Sequence, residues 1–131
     1  MTKELWINLP VKDLKKSKQF FRDIGFTLHE RHLDSDEMAG LVIGDHQMMV
    51  MMFPEKTFEG YTKHEITDSE RSTEVLLSVS THSRAEVDEI IGKVKNAGGA
   101  IFAAPGEQNG LYGAGFCDLD GHRWNLLYMG T

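Results

Sequence analysis

The apolar positions along this chain change period in a fixed order, and the order is written twice. Residues 5–11, LWINLPV, alternate, with Leu5, Ile7, Leu9 and Val11 on one side and Trp6, Asn8 and Pro10 on the other. A period of two predicts a half-buried strand. From Asp13 the spacing turns helical: Leu14, Phe20, Phe21 and Ile24 share a face, and Gly25 supplies the stop. Residues 26–32, 38–43 and 47–53 then predict three strands, with turns around Asp34–Asp36 and Gly44–Asp45. The second half repeats the series. Residues 74–80 predict a strand with Val75, Leu77 and Val79 on one face. Residues 84–97 predict a helix with Val87, Ile90, Ile91 and Val94 inward, ended by Gly98-Gly99. Strands follow near 100–103, 113–118 and 123–129. Between the halves, residues 55–73 are polar, carry five acidic residues and show no period, which predicts a loop.

The implied fold class is α+β: two βαβββ modules, about 4–54 and 74–130, in a single domain. A four-stranded sheet with one helix covers only one of its faces. The expectation is a curved mixed sheet wrapped around a cavity, with the helices outside, and such clefts are where small ligands bind. The turns support the duplication, since Gly44-Asp45-His46 precedes one apolar strand and Asp120-Gly121-His122 the other. Placing His46 on His122 gives an offset of 76 residues and sets Met49 opposite Asn125.

A length of 131 residues suits one domain with an adequate core. The net charge of −6 argues against a nucleic-acid or anionic-membrane partner, because phosphate binding needs clustered cations. The densest basic run, Lys12, Lys15, Lys16 and Lys18, is spaced as a solvated helix face. The lone Cys117 excludes an internal disulfide and fits a reducing compartment. The N-terminus shows no signal-peptide pattern, and no run approaches the roughly 18 apolar residues of a membrane helix. The expectation is a soluble, cytoplasmic protein.

The stretches LPVKDLKKSKQFFRDIGF at 9–26 and FCDLDGHRWNLLYM at 116–129 resemble the opening and closing segments of the vicinal oxygen chelate superfamily. That group holds the glyoxalase, bleomycin-resistance and extradiol dioxygenase proteins. The Gly-Gly-ended helix at 84–99 is similar to the start of the family's second module. The resemblance implies paired βαβββ modules and a homodimer, and leaves the reaction open.

Metal-binding members take His and Glu ligands from the first and last strand of each module. Carried over by the resemblance, these positions are Trp6, Met49, Glu74 and Asn125. Only Glu74 is a good ligand for a divalent cation; Asn125 offers a neutral carbonyl, Met49 a weak thioether and Trp6 no acceptor. No metal or other cofactor is therefore expected, with an altered divalent site as the lesser alternative. His46 and His122 read as turn residues, and His64 and His82 as surface residues. His29 and His32 should fall on opposite faces of a strand. The alternation points Trp6, Asn8, Glu74, Leu76, Met49, Met51 and Asn125 at the cavity, and the resemblance adds Tyr112 at its rim. This predicts a soft, partly apolar lining for a small-molecule ligand. Glu74 is the candidate catalytic residue, a general base if an apolar cavity encloses it. Two functions follow: a metal-independent ligand-binding protein, or a superfamily lyase, isomerase or dioxygenase using Glu74.

Overall fold

A computed structural model describes residues 1–130. Its elements run β1 (Ile7–Val11), α1 (Leu14–Asp23), β2 (Thr27–Leu28), a 3-10 turn (Glu30–His32), β3 (Ala39–Ile43), β4 (Met48–Pro54), α2 (Glu55–Thr62), β5 (Leu76–Ser80), α3 (Arg84–Val94), β6 (Ala100–Gln108), β7 (Leu111–Cys117) and β8 (Arg123–Tyr128). They form two four-stranded mixed sheets with the same order, β1-β4-β3-β2 and β5-β8-β7-β6. In each, the opening strand lies parallel to the closing strand and the hairpins are antiparallel. The fold is α+β, a βαβββ module made twice. Two compact units divide the chain, one of residues 1–22 and 26–67, the other of residues 23–25 and 68 onward.

Both long helices start and stop by the same chemistry. The Asp13 carboxylate accepts from the Lys16 amide at 3.1 Å, and the Ser83 hydroxyl accepts from the Glu86 amide at 3.1 Å. Each helix then closes through a glycine of positive φ, Gly25 at +99° and Gly98 at +104°. The next amide reaches back five residues in both: Phe26 to the Phe21 carbonyl at 2.9 Å, and Gly99 to Val94 at 3.0 Å.

The register identifies which residues of the two modules are equivalent. Ala39, Gly40 and Leu41 pair with Met52, Met51 and Val50; Ala114, Gly115 and Phe116 pair with Leu126, Asn125 and Trp124. Across the sheets, Met51 pairs with Asn8, and Asn125 with Ser78. Met51 is thus the counterpart of Asn125, an offset of 74 residues and not the 76 that the histidine turns suggested. Those turns differ in length, so their histidines are not equivalent.

Four other expectations change. The stretch after Pro54 is not all loop: α2 packs on β1 and β4, and its Tyr61 meets the Phe53 ring edge-on with centroids 5.1 Å apart. The strand expected over 26–32 stops at Leu28, where the His29 ring accepts from the Arg31 amide and caps a 3-10 turn. His29 and His32 therefore lie beside each other, with ring centroids 5.9 Å apart, not on opposite faces. Lys18 is not solvated. It is 8% exposed and donates to the carbonyls of Leu33 at 3.1 Å and Ser35 at 2.5 Å. Finally, β6 runs on to Gln108 through Pro105, because it is an edge strand and breaks register at two irregularities, where a missing amide donor is tolerated.

Candidate functional site

In each sheet one face is buried and the other is left open. Leu9, Val11, Leu41, Val50 and Met52 belong to the buried face of the first module, and Leu77, Phe116, Trp124 and Leu126 to that of the second. The alternate residues of the opening and closing strands form three successive tiers on the open faces, about 7 Å apart along the strand. In module one these are Trp6 with Met49, Asn8 with Met51, and Pro10 with Phe53; Trp6 lies one step before the first paired residue. In module two they are Leu76 with Arg123, Ser78 with Asn125, and Ser80 with Leu127.

Module one presents sulfur and rings. A Cβ built on Gly40 would stand 2.6 Å from the Met49 methyl, 3.2 Å from the Met51 sulfur and 3.3 Å from the His29 Cβ, so these side chains converge above the glycine. α2 closes over the far end, leaving Phe53 buried. Trp6 is 56% exposed, and Asn8 is exposed beside half-buried Met51.

Module two presents polar groups and open space. Its face carries a groove of about 350 Å³, lined by Ala103, Ala104, Gln108, Gly113, Asn125 and Leu127 among others. Gly113 and small side chains make the floor shallow, and the Asn125 amide, donating to the Ser78 hydroxyl at 3.4 Å, supplies one of its polar points. One step along the same face, the Phe102 ring lies over Gly115, where a Cβ would come within 2.3 Å of it. The Arg123 guanidinium in turn covers Phe102, 4.5 Å from the ring centroid. Beside it, burial raises the Cys117 thiol above its ordinary value, an effect that Arg123 partly offsets.

The remaining candidates go elsewhere. Tyr112 alternates with Gly113 and so faces α3, not the groove: its hydroxyl donates to Asp88 at 2.5 Å and Arg84 lies over its ring at 4.9 Å. The accepting Asp88 carboxylate raises the phenol above its ordinary value. Arg84 also pairs with Glu107. Glu74 is exposed in a bend two residues before β5, without the apolar enclosure a general base would need. It stands four residues before Ser78, the partner of Asn125, and outside the paired part of the strand.

A buried carboxylate does exist nearby, but as scaffold. Asp118 is 6% exposed and accepts from the amides of Asp120 and His122, each at 3.0 Å, and from the Trp124 indole at 3.1 Å. Burial nonetheless raises its carboxyl above the ordinary range, outweighing the lowering by His122 and by the indole. It pins the turn between β7 and β8, with Trp124 stacked parallel to Phe116 at 6.1 Å.

The metal that the fold family carries in some members does not suit these residues. None of the three tiers offers an imidazole or carboxylate, and no group of three His, Cys, Asp or Glu side chains converges among the described residues.

Arg123 and Phe102 were missed by the sequence reading. The alternation through Asn125 and Leu127 reaches Arg123 when extended one step back, so its position was legible. Phe102 was hidden by the register irregularities of β6.

Residues 3–44 match the family described as bleomycin resistance protein-like N-terminal. The hypothetical protein SA1046 from S. aureus is 37% identical, over 98% of this chain and 94% of that one, with a TM-score of 0.86. A glyoxalase-related enzyme from Fulvimarina pelagi superimposes with a TM-score of 0.81 at 16% identity, over 98% and 88% of the chains. A glyoxalase/bleomycin resistance protein/dioxygenase family enzyme from Burkholderia phytofirmans PsJN does so at 0.76 and 18%, over 95% and 96%. No functionally curated protein matches the chain. No helix among the described residues is long and apolar enough to cross a membrane.

Proposed function

This chain belongs to one family with S. aureus SA1046 and has the vicinal oxygen chelate fold of the glyoxalase and bleomycin-resistance proteins, and on that premise we propose that it binds a small, partly apolar molecule without a metal. The observation that carries the reading is the groove on the open face of module two, whose lining combines small and apolar residues with a few amides, Asn125 among them. A shallow apolar floor gives a ligand area to bury, and the amides orient it. The tiers themselves carry no imidazole or carboxylate, and the one imidazole beside them, His29, accepts from the Arg31 amide and caps a turn, so the chemistry offered is recognition. Glu74, exposed and outside the groove, has no part in it.

Thermal denaturation against a broad compound library tests this. Stabilisation by a flat, partly apolar compound, with none from Zn²⁺, Mn²⁺ or Ni²⁺, is the expected result. Stabilisation by a stoichiometric metal would replace the proposal with an enzyme, and silence from the whole library would remove it. Asn125→Ala should weaken the ligand effect, while Glu74→Gln should leave it unchanged. With the family likeness and the single cysteine, we place the protein as a homodimer in a reducing compartment, which light scattering and fractionation check.

A further inference from the structure

We propose that the molecule taken by the module-two face is an organic anion, a carboxylate or similar planar acid on a flat apolar body, whose charge is received by Arg123. The inference rests on the groove being a ligand site and adds the class of ligand. Arg123 is half-buried on the open face, one tier from Asn125, so an acid lying over Asn125 can reach it within about 7 Å of strand. What surrounds its guanidinium among the described residues is a ring face and a thiol, not a carboxylate. A ring beneath the guanidinium does not satisfy its N–H fork, which suits a planar, bidentate acceptor. The ring is itself supported: Phe102 lies on Gly115, opposite Asn125, where the absent Cβ makes room for it. The one charged residue of the groove's own lining, Glu107, is paired with Arg84. The whole chain carries −6, so the attraction is local and owes nothing to general basicity.

Calorimetric titration of the full chain with naphthoate and with naphthamide, the same rings with and without the charge, tests the proposal. Naphthoate should bind at least about tenfold more tightly, and the advantage should shrink as salt is raised. Arg123→Gln should abolish the difference between the probes, and Arg123→Lys, which keeps the charge but not the fork, should keep part of it. If Arg123→Gln does not fold, the salt dependence and the Arg123→Lys comparison decide in its place. Equal affinity for the two probes, insensitive to salt and to Arg123, overturns the anion while leaving the groove as a neutral ligand's site. Failure of both probes to bind also overturns it. The groove reading falls only if, in addition, the broad library gives no stabilisation.

Discussion

The two modules share strand order, helix caps and register, yet each solves the same problems with different chemistry. Both have a loop that must be tied to the body by something other than backbone pairing. In module one the tie is a cation, Lys18, reaching the carbonyls of Leu33 and Ser35; in module two it is an anion, Asp118, gathering two amides and an indole. The open faces divide likewise. Module one puts Met49, Met51 and Phe53 there and lays α2 over part of it. Module two puts Ser78, Asn125 and Arg123 there and leaves a groove. Duplication preserved the frame, while the exposed tiers, which the frame does not constrain, became free to differ.

If Asp118 is the tie, its removal should cost more than that of Lys18. Asp118→Ala strands three donors, each worth about 1–3 kcal/mol when left unpaired, less what is regained by no longer burying a carboxylate. A loss of about 3 kcal/mol in urea unfolding is expected, with a loss of the near-ultraviolet signal of Trp124. The acid has a pH signature as well. Its folded value lies above the ordinary 3.8, so between the two the folded state holds a proton that the unfolded state has released. This contribution to stability is therefore present below 3.8 and declines as pH rises through the raised folded value. Asp118→Asn should flatten that decline; an unchanged slope would show that the carboxyl is not raised.

Lys18→Ala should come next, at about 2 kcal/mol. It removes two charge-assisted hydrogen bonds and the buried stem of a lysine, but leaves carbonyls that can turn to water. Hydrogen exchange should speed up in residues 33–38 and stay unchanged at 118–122. Equal acceleration in both loops would break the claim that each module carries its own tie.

These ties mark where the sequence stopped being readable. Helices α1 and α3 were legible because a periodic apolar face and a closing glycine are local signals, as at Phe20, Phe21 and Gly25. The strand order was legible because the series repeats. Register was not: Gly44-Asp45-His46 and Asp120-Gly121-His122 look alike but sit in turns of different length, so aligning them shifted Met51 to Met49. Lys18 looked solvated because its partners are carbonyls 15 and 17 residues away, which no local pattern shows. α2 stayed hidden because Glu55–Thr62 contains Gly60, lacks a side-chain N-cap and buries no residue fully. Of the candidate site, Asn125 was found as a groove residue, whereas Tyr112 was assigned without the register that turns it towards Asp88.

The cover over module one gives a smaller effect. Tyr61 is 63% exposed and touches Phe53 by one edge-on contact, so Tyr61→Ala should cost about 1 kcal/mol. Its sharper consequence is on the faces: with α2 loosened, Phe53 and Met51 open to solvent. Binding of a hydrophobic dye should then rise in the folded protein, giving module one some of the openness that module two has by construction. No rise would mean that α2 is held by its backbone and not by that ring.

The smallest effect should come from exchanging the tiers themselves. Met51 occupies the position that Asn125 holds in module two, half-buried, with Asn8 as its partner where Asn125 has Ser78. An amide introduced by Met51→Asn can bond to the Asn8 side chain or to water, so the change loses one thioether's packing and strands no polar group. Less than about 1 kcal/mol should be lost. The neighbouring Met52 points the other way and is fully buried, so Met52→Asn should cost about 3 kcal/mol or more by placing an amide without partners in the core. A mild Met51→Asn beside a severe Met52→Asn is what an open face on module one requires. Comparable losses from the two would mean that Met51 is core after all, and that the modules differ in their packing and not merely in what an open face displays.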